Sequence, residues 1–509
     1  MNTNNPSNLR KVCILGLGTT GLAVCRHYLR SSSPSYIDIY VDKMTQKNME
    51  AMLAIDEEFF HRGGVTGHIF SGVGELYLHN ADCRLTLYVG WDGLLSTYDQ
   101  GIVSPGIQPN NPLYQNAKVR CKELIGEPEL AYRFSPDHWL AITGTNGKTT
   151  TVRLLGQILA DAGLASTVAG NIGPTLIDAV NHRQVGEYLV VELSSFQLAN
   201  TLSIAPEAAI LLNITPDHIE WHGNLDDYAK TKKRIYNWMI PEAPVVIDGL
   251  SQIGLQIIDE CLTTGRRVVA NGLSPDDAAG LFGADRINEM TWVDRDGWLW
   301  VRIAGTDHRL LKTADLLIKG RHNHLNALAA AWVAGFVGID TAAVARSLAG
   351  FAPLEHRIEA AGEYQSVSFY NDSKATNPEA TLMALSAFPD SSIILMVGGQ
   401  DKGTDLSELA SRVLECCRLV ICYGAAANRF FEVFNNALTR PGTGTETERS
   451  SCQILMARDM HQAFQTAVRL ALPDDVILLS PACSSFDEFD SFEQRGLTFK
   501  EWVNELRGE

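Results

Sequence analysis

The sequence predicts an α/β protein of three successive units, in which apolar strands alternate with helices around mostly parallel sheets. Two glycine-rich turns indicate the first two units, because residues 16–21 and 144–149 each stand between an apolar strand and a helical pattern. A third alternation of strands and helices begins after residues 351–357, which resemble a linker. We therefore expect an N-terminal βαβ unit, a central unit of the P-loop type and a C-terminal unit with another open α/β sheet.

The bulk composition is that of a globular protein with ample core. The 509 residues are 45% hydrophobic and 20% charged, and the net charge of −17 argues against nonspecific binding to nucleic acids or anionic membranes. The ten cysteines include no C-x-x-C pair, which favours reduced thiols in the cytoplasm over a zinc ribbon or a disulfide framework. The polar start of the chain and the absence of a long apolar run predict neither a signal peptide nor a membrane span.

The first glycine turn predicts a diphosphate site. Residues 11–15 form an apolar strand, the turn G-L-G-T-T-G leads into a helix reaching about Arg30, and a second strand ends at Asp42. This pattern is typical of nicotinamide dehydrogenases, but it requires only a pyrophosphate at a helix N-terminus, so a UDP-sugar satisfies it equally well. The later turn at residues 103–107 either lines the same crevice or is a plain turn.

The second glycine turn, G-T-N-G-K-T, predicts a phosphate cradle. Gly144 and Gly147 let the backbone approach an anion, Lys148 can reach the outer phosphates, and the Thr149 hydroxyl can ligate magnesium. Ile142 occupies the position of the first glycine in the general P-loop pattern. The turn is therefore a shorter variant of that pattern.

Polar residues follow two strands predicted downstream of the cradle. Residues 188–191 lead into Glu192, and residues 208–212 lead into a segment that ends at His218. The carboxyl ends of parallel strands face the ligand, so both side chains are candidates for a magnesium site. The alternatives are a solvated surface glutamate and an ordinary structural histidine.

Two helices raise further alternatives. Residues 228–236 are basic, and by themselves they predict only the solvated face of a helix. Asn323 and Asn326 are three positions apart near the start of another helix, so their amides share one face. Such a pair can read a purine edge or a phosphate, or can cap the helix.

The third unit carries cations in its loops. Arg357, Lys374 and Lys402 follow or precede predicted strands, where they suit a carboxylate or a transferring phosphoryl group. Residues 440–451 are polar and rich in Gly and Thr, which predicts a mobile loop.

The ordered set of motifs resembles the Mur ligase family over about residues 12–492. The motifs are G-T-N-G-K-T-T, E-L-S-S-F-Q-L, N-I-T-P-D-H, K-x-R-I-Y, H-N-x-x-N-A-L-A-A, H-R, N-D-S-K-A-T-N and S-P-A-C-S-S-F-D-x-F. The resemblance implies a UDP-sugar-binding Rossmann-like domain at residues 1–126 and a central ATP-binding domain at 127–353. It implies a C-terminal Rossmann-like domain that binds glutamate at 354–509.

The implied activity is ATP-dependent amide ligation, adding D-glutamate to UDP-N-acetylmuramoyl-L-alanine through an acyl phosphate. ADP and phosphate are the other products, and the setting is cytoplasmic peptidoglycan precursor synthesis by a monomer that uses two Mg²⁺ ions. The open alternatives are a sister Mur ligase, a folylpolyglutamate synthetase-like enzyme and a variant that adds L-glutamate. From different classes come a nicotinamide dehydrogenase and a nucleotide-binding regulator without catalysis.

The resemblance also assigns site residues. The implied ATP-binding residues are Gly144, Thr145, Asn146, Gly147, Lys148, Thr149, Thr150, Asn323, Asn326, Arg357 and Asp372. The implied catalytic residues are Lys148, His218, Lys232 and Lys374, and the metal-associated ones are Thr149, Glu192, His218 and Lys232, with Lys232 carbamylated. The UDP-substrate contacts are Thr19, Thr20, Asp42, Gly106, Asn171, Ser194 and Gln197, and the glutamate contacts are Thr376, Lys402, Ser485, Phe486 and Phe492. Two departures stand out, because Lys43 and Met44 differ from the familiar relatives and residues 261–313 match no motif.

Overall fold

The computed structural model describes residues 11–31, 34–60, 66–70, 73–79, 83–388, 392–401, 403–439 and 452–508. The chain divides into two compact units, the first containing Met1–Trp292, Trp300–Leu310 and Leu328–Ala345, and the second Val293–Leu299, Leu311–Ala327 and Arg346–Glu509. The described residues form three mostly parallel sheets with intervening helices, which confirms the α/β class. The three domains divided at residues 126 and 353 stay a prediction.

The first sheet contains the predicted βαβ unit. Its strands are β1 Lys11–Leu15, β2 Tyr36–Val41, β3 Thr66–Phe70, β4 Val73–His79, β5 Arg84–Val89, β6 Gln100–Val103 and β7 Leu124–Gly126. Their order is β3-β4-β5-β2-β1-β6-β7, in which β3 and β4 run antiparallel to their neighbours. The helices are α1 Thr19–Ser31, α2 Gln46–Ile55 with a π-helical extension Asp56–Phe60, α3 Pro112–Arg120 and α4 Glu127–Phe134.

The second sheet carries the phosphate cradle. Its strands are β8 Trp139–Thr143, β9 Ser166–Gly170, β10 Tyr188–Glu192, β11 Ala208–Leu211, β12 Val245–Asp248, β13 Val268–Asn271, β14 Met290–Val293, β15 Trp298–Ile303 and β16 Thr306–Lys312. Their order is β16-β15-β14-β13-β12-β11-β8-β10-β9. The central strands β8 and β11 are buried along their whole length, as expected for parallel strands covered on both faces. The segment without a recognisable motif, residues 261–313, supplies the strands β13 to β16.

Short and long helices connect these strands. They are α5 Lys148–Asp161, α6 Leu176–His182, α7 Ser195–Leu198, α8 Ile219–His222, α9 Leu225–Lys233, α10 Gln252–Thr263, α11 Pro275–Phe282, α12 Arg321–Phe336 and α13 Thr341–Gly350, with a 3₁₀ turn at Thr313–Asp315. In the part of the chain that the structure describes, no helix combines the length and the apolar character needed to cross a lipid bilayer.

The third sheet lies in the second unit. Its strands are β17 Glu359–Tyr364, β18 Val367–Asn371, β19 Ser392–Gly398, β20 Cys417–Tyr423, β21 Gln453–Met456 and β22 Asp475–Leu479, in the order β17-β18-β22-β19-β20-β21. Its helices are α14 Pro378–Leu385, α15 Ser407–Cys416, α16 Ala427–Thr439, α17 Met460–Leu470 and α18 Phe492–Arg507. Lys402 and the loop predicted at residues 440–451 lie outside the described residues. All ten cysteines are described, and no disulfide joins any of them.

A buried carboxyl group joins α4 to α6 within the first unit. Glu127 is 2% exposed, and its Oε1 accepts a hydrogen bond of 2.6 Å from the backbone N–H of Ile177. Burial raises the pKa of the Glu127 carboxyl to about 7. The folded chain therefore holds a proton there at pH values at which an unfolded glutamate, with a pKa near ~4.3, has lost it.

We expect Glu127→Gln to change how stability depends on pH. Because the folded-state pKa is raised, the wild-type protein loses stability as pH rises from ~4.3 to about 7, and the neutral amide does not. Relative to wild type, the variant should gain up to about 3 kcal/mol of unfolding free energy between pH 4 and pH 8. Urea unfolding at a series of pH values measures this difference, with the exposed Glu50→Gln as control. A pH-independent difference for Glu127→Gln would contradict the buried-acid explanation.

Candidate active site

The glycine turn between β8 and α5 forms an open cradle of backbone. Gly147 precedes α5 with φ 85°, in the left-handed region that glycine adopts without strain. Gly144 has φ 154°, and a Cβ there would lie 2.7 Å from the Leu212 Cβ. The glycines thus allow the turn to pass close to the segment after β11, and the N-terminus of α5 behind the turn is a place where an anion can bind.

The cradle is held in shape by the segment after β11. The backbone N–H of Thr145 donates to Asn213 O at 2.8 Å, and that of Asn146 donates to Asn213 Oδ1 at 2.9 Å. Lys148 Nζ donates to Gly144 O at 2.9 Å and to Thr145 O at 2.7 Å. The cation predicted to meet phosphates is therefore already inside the turn. Thr149 and Thr150 follow it in the first turn of α5, half-buried and buried respectively.

Lys232 lies against the same cradle, although 88 positions separate it from Gly144 along the chain. Its side chain is 1% exposed, and Nζ donates to Gly144 O at 2.7 Å and lies 4.6 Å from the centre of the Tyr228 ring. Burial, and then the nearby Lys148 charge, hold the pKa of Lys232 well below its usual range. The solvated basic face predicted from the residues alone is found at Lys230, whose side chain is 69% exposed, and is wrong for Lys232.

Glu192 is a buried carboxylate at the carboxyl end of β10, so the surface alternative is wrong. It is 1% exposed, and its Oε1 accepts a hydrogen bond of 2.8 Å from Asn171 Nδ2. Among the described residues, Glu192 Oε2 is buried and has no hydrogen-bond donor. A buried anionic oxygen without a donor is costly by itself, and a bound cation would satisfy it.

His218 is the N-cap residue that directly precedes the short helix α8. It has φ 53°, and its Nε2 lies 3.5 Å from Asp217 Oδ2. Its ring packs 4.7 Å from that of Phe196, in the segment after β10. Asp217 and Glu192 both raise the pKa of Lys232 against the effect of burial, so the two carboxylates and the lysine lie in one electrostatic neighbourhood.

Three residues of this neighbourhood, Asp217, His222 and Tyr228, were not among the predicted site residues. The Tyr228 hydroxyl lies 3.2 Å from Thr145 Oγ1, and His222 Nε2 lies 3.0 Å from Ser195 Oγ. Burial lowers the pKa of His222 to about 4, so its ring is neutral near pH 7. The sequence contained one feature that could have predicted His222 and Tyr228. His222 is four positions after His218, and Tyr228 is four positions before Lys232, and residues with this spacing share a helix face.

Two predicted substrate contacts build the local structure after β10. Ser194 caps α7, because its Oγ accepts from the Gln197 N–H at 3.2 Å while Gln197 Oε1 accepts from the Ser194 N–H at 2.9 Å. Asn171 donates from its backbone N–H to Glu192 O at 2.9 Å in addition to its side-chain bond. These three residues therefore adjoin Glu192, and their substrate contacts stay a prediction.

The N-terminal crevice brings its predicted residues to one edge of the first sheet. Gly16 has φ 89°, and a Cβ at Gly21 would lie 2.0 Å from Gly16 O, so glycine is required at both positions. The turn after β6 closes against this loop, since the Ser104 N–H donates to Leu15 O at 3.1 Å. Residues 103–107 therefore lie beside the first glycine turn, and their role in lining a ligand crevice stays a prediction. The predicted UDP contacts Thr19, Thr20, Asp42 and Gly106 are half-buried or exposed at this edge.

The second unit contains the other predicted nucleotide contacts. Asn326 Nδ2 donates to Asn323 Oδ1 at 3.3 Å near the start of α12, which confirms that the two amides share one face. Asp372 directly follows β18 and is buried, with Oδ2 accepting from Ser480 Oγ at 2.7 Å. Burial raises the pKa of Asp372 to about 7, and the nearby Arg357 charge partly opposes this rise.

The predicted glutamate contacts gather at the carboxyl edge of the third sheet. Lys374 and Thr376 follow β18, and Lys374 Nζ lies 3.5 Å from the centre of the Phe492 ring. Ser485 is buried after β22, while the neighbouring Phe486 is 68% exposed. Lys402 lies outside the described residues, so its place in this group is untested.

The first unit thus has the features of an ATP-using α/β enzyme, with a phosphate cradle, a buried carboxylate and a buried lysine. The Mur ligase middle domain model matches residues 142–334, and the Mur ligase glutamate ligase domain model matches residues 356–483. The chain is 32% identical to a UDP-N-acetylmuramoylalanine–D-glutamate ligase of Thermoanaerobacter pseudethanolicus over 98% of its length and 99% of that protein.

Solved structures share the fold at lower identity. A pseudomurein peptide ligase type C from Methanothermus fervidus is 16% identical with a TM-score of 0.54, over 97% of this chain and all of that one. A MurF ligase from Thermotoga maritima in complex with ADP is 16% identical with a TM-score of 0.51, over 81% and 96%. With the family models and the full-length relative, these findings show that the chain belongs to the Mur ligase family and is an enzyme of the ligase class.

Proposed function

We propose that this enzyme joins D-glutamate to UDP-N-acetylmuramoyl-L-alanine at the cost of ATP, in cytoplasmic peptidoglycan precursor synthesis. The observation that carries the proposal is the buried Lys232, whose Nζ lies 2.7 Å from Gly144 O in the phosphate cradle. The chain is also similar to a D-glutamate ligase over nearly its whole length. In this proposal the three predicted domains bind the UDP-sugar, ATP and glutamate in chain order, and the enzyme acts as a monomer.

The cradle is proposed to hold the phosphates of ATP. The first amides of α5 point toward the turn, and the Lys148 ammonium adds a charge that an outer phosphate can meet. Asn323, Asn326, Arg357 and Asp372 are proposed as further nucleotide contacts, as the family resemblance implies. The relative from Thermotoga maritima has ADP in its structure, which supports a nucleotide as the ligand of the family fold.

The residues present suit magnesium. Glu192 Oε2 is a buried anionic oxygen without a hydrogen-bond donor in the described chain, and hard oxygen ligands are those that Mg²⁺ prefers. We propose that Thr149, Glu192 and His218 hold two Mg²⁺ ions with Lys232 associated. When bound, the ions would neutralise charge on the phosphates of ATP.

Lys232 is proposed to carry a carbamate. Its lowered pKa, caused first by burial, favours the neutral amine, which is the nucleophilic form. The amine nitrogen would form a bond to the carbon of CO₂, and one proton would leave to solvent, giving an N-carboxylate. This reaction replaces a cation that is costly to bury with an anion suited to metal association.

The chemistry divides between the proposed substrate sites. The alanyl carboxylate attacks the γ-phosphorus of ATP, ADP leaves, and the resulting acyl phosphate has a leaving group that a carboxylate lacks. The glutamate amine then adds to the acyl carbon and loses a proton, and phosphate departs as the amide forms. The chain's own residues mainly orient the reactants and stabilise charge, with Lys148 at the phosphates and Lys374 proposed beside the reacting groups.

The N-terminal crevice is proposed to hold the UDP-sugar. A diphosphate is proposed to bind at the N-terminus of α1, which follows the glycine turn. The proposed contacts at this end of the first sheet are Thr19, Thr20, Asp42 and Gly106. The other proposed contacts lie near Glu192 and are Asn171, Ser194 and Gln197. Glutamate is proposed to meet Thr376, Lys402, Ser485, Phe486 and Phe492.

An amino-acid screen of phosphate release tests this function. With ATP and Mg²⁺ present, we expect phosphate release that requires both UDP-N-acetylmuramoyl-L-alanine and D-glutamate. Omission of either compound should reduce phosphate release to background. Equal or better turnover with L-glutamate would refute the stereochemical assignment. Turnover with another amino acid instead would indicate a sister ligase, and tight binding of NAD would favour the dehydrogenase interpretation of the first glycine turn.

A further inference from the structure

Arg495 is a fully buried arginine whose charge is held by uncharged oxygens. It lies in the first turn of α18 and is 0% exposed. Its Nε donates to Ser373 Oγ at 2.9 Å, and Nη2 donates to Ser373 O at 2.8 Å and to Cys483 O at 3.0 Å. Nη1 donates to Ser484 O at 3.3 Å. Burying an arginine is costly, so these four hydrogen bonds indicate a position that the structure needs.

The acceptors belong to separate loops at one edge of the third sheet. Ser373 follows β18, whereas Cys483 and Ser484 follow β22. The loop after β19 is also in contact, because a Cβ added at Gly399 would lie 3.1 Å from Arg495 Nη1. That loop pairs with the same segment, since the Gln400 N–H donates to Ser484 O at 2.9 Å. One guanidinium thus hydrogen-bonds the loops after β18 and β22, and the loop after β19 is linked to it through Ser484.

These loops carry the residues proposed to bind glutamate. Thr376 lies three positions after Ser373, and Ser485 directly follows Ser484. The Ser373 hydroxyl, which accepts from Arg495, donates in turn to Phe492 O at 2.8 Å. The distances between Thr376, Ser485 and Phe492 therefore depend on hydrogen bonds that Arg495 makes with neighbouring residues.

We propose that Arg495 is a positioning residue for the amino-acid substrate, which holds the loops after β18, β19 and β22 in the arrangement that receives glutamate. This inference rests on the proposed function. A planar guanidinium offers five donors in a rigid fork, so it can hold several carbonyls at fixed directions, which the point charge of a lysine cannot do. Arg495 itself acts through the loops and does not contact the amino acid.

Arg495→Lys tests the proposal because a positioning role should change the KM for glutamate and leave the other kinetic parameters nearly unchanged. We expect the KM for glutamate to rise about tenfold, because the binding groups lose their fixed spacing. The KM values for ATP and the UDP-sugar, and kcat at saturating glutamate, should change by less than about twofold. A folded Arg495→Lys enzyme with an unchanged KM for glutamate would overturn the proposal.

Arg418→Lys is the matched control. Arg418 is the second residue of β20, near the amino-terminal ends of the strands, where its Nη2 donates to Leu470 O at 2.9 Å and pairs with Asp475 Oδ2 at 2.5 Å. We expect this variant to lower the melting temperature without raising the KM for glutamate. If it raises that KM as much as Arg495→Lys does, general softening of the sheet explains the effect and the positioning role is refuted.

Ser373→Ala keeps the proposal testable if Arg495→Lys fails to fold. It removes the hydroxyl that links Arg495 to Phe492 O, and we expect the KM for glutamate to rise about threefold. An unchanged KM in this variant would also overturn the proposal. Wild-type enzyme that releases phosphate without any dependence on glutamate would refute the proposed function itself, whereas unchanged KM values in both variants would refute only the role of Arg495.

Discussion

Lys148→Ala is expected to abolish ATP-dependent turnover. Lys148 Nζ lies within the cradle, 2.9 Å from Gly144 O and 2.7 Å from Thr145 O, so its charge is positioned where the outer phosphates of ATP are proposed to bind. Charge at the phosphates must be stabilised as the phosphoryl group transfers, and removal of one such group typically costs about a hundredfold to a thousandfold in rate. Phosphate release with all three substrates present measures the loss.

The matched control for this variant is Arg153→Ala. Arg153 lies on the same helix but is exposed, so its removal should leave turnover within about twofold of wild type. Circular dichroism and a melting curve establish whether each variant is folded. Near-normal turnover in a folded Lys148→Ala enzyme would mean that the nucleotide binds elsewhere.

Lys232→Ala is expected to lose activity that short carboxylates partly restore. The buried amine is 1% exposed and has a strongly lowered pKa, which are the conditions under which carbamylation by CO₂ is favoured. Alanine removes the proposed anionic group and leaves a space in which acetate or formate can supply a carboxylate. We expect a loss of about a hundredfold or more, with turnover rising as the carboxylate concentration is increased.

Lys230→Ala is the control on the same helix. Its side chain is 69% exposed and pairs only with the exposed Asp227, so we expect normal turnover and no response to acetate. A fully active Lys232→Ala enzyme would exclude the carbamate. Loss of activity without any recovery, in a folded variant, would mean that the amine itself is needed and would also refute the carbamate.

Local patterns were sufficient to predict the cradle and the first βαβ unit. Gly144 and Gly147 are needed for backbone conformations within a few residues, and the apolar strand and the helix that flank them are read directly from hydropathy. Hydropathy patterns also predicted the α/β class. They predicted that Glu192 and His218 follow strands of the same sheet. The motif order extended these rules to the family, because several weak patterns in one sequence order are specific together.

Contacts between distant segments were outside the reach of those patterns. The basic residues of α9 are equivalent in the sequence, yet Lys230 is exposed and Lys232 is buried against Gly144. The orientation of α9 in the folded chain decides which of its sides is buried. His222 and Tyr228 entered the site for the same reason. Residues 261–313 match no motif. They form the strands β13 to β16, which extend the second sheet, and strands of this kind require only a suitable pattern of apolar residues.

The sequence by itself determined the α/β class, the two glycine turns and the membership of a ligase family, because each depends on local backbone geometry or on motif order. The tertiary structure decided that Glu192 has a buried oxygen without a donor among the described residues and that Lys232 is buried beside Gly144. It also decided that Arg495 hydrogen-bonds the loops after β18 and β22. The physical reason is that burial and hydrogen-bond partners are set by segments that meet only when the chain folds, and these set the pKa of Lys232 and the spacing of the loops.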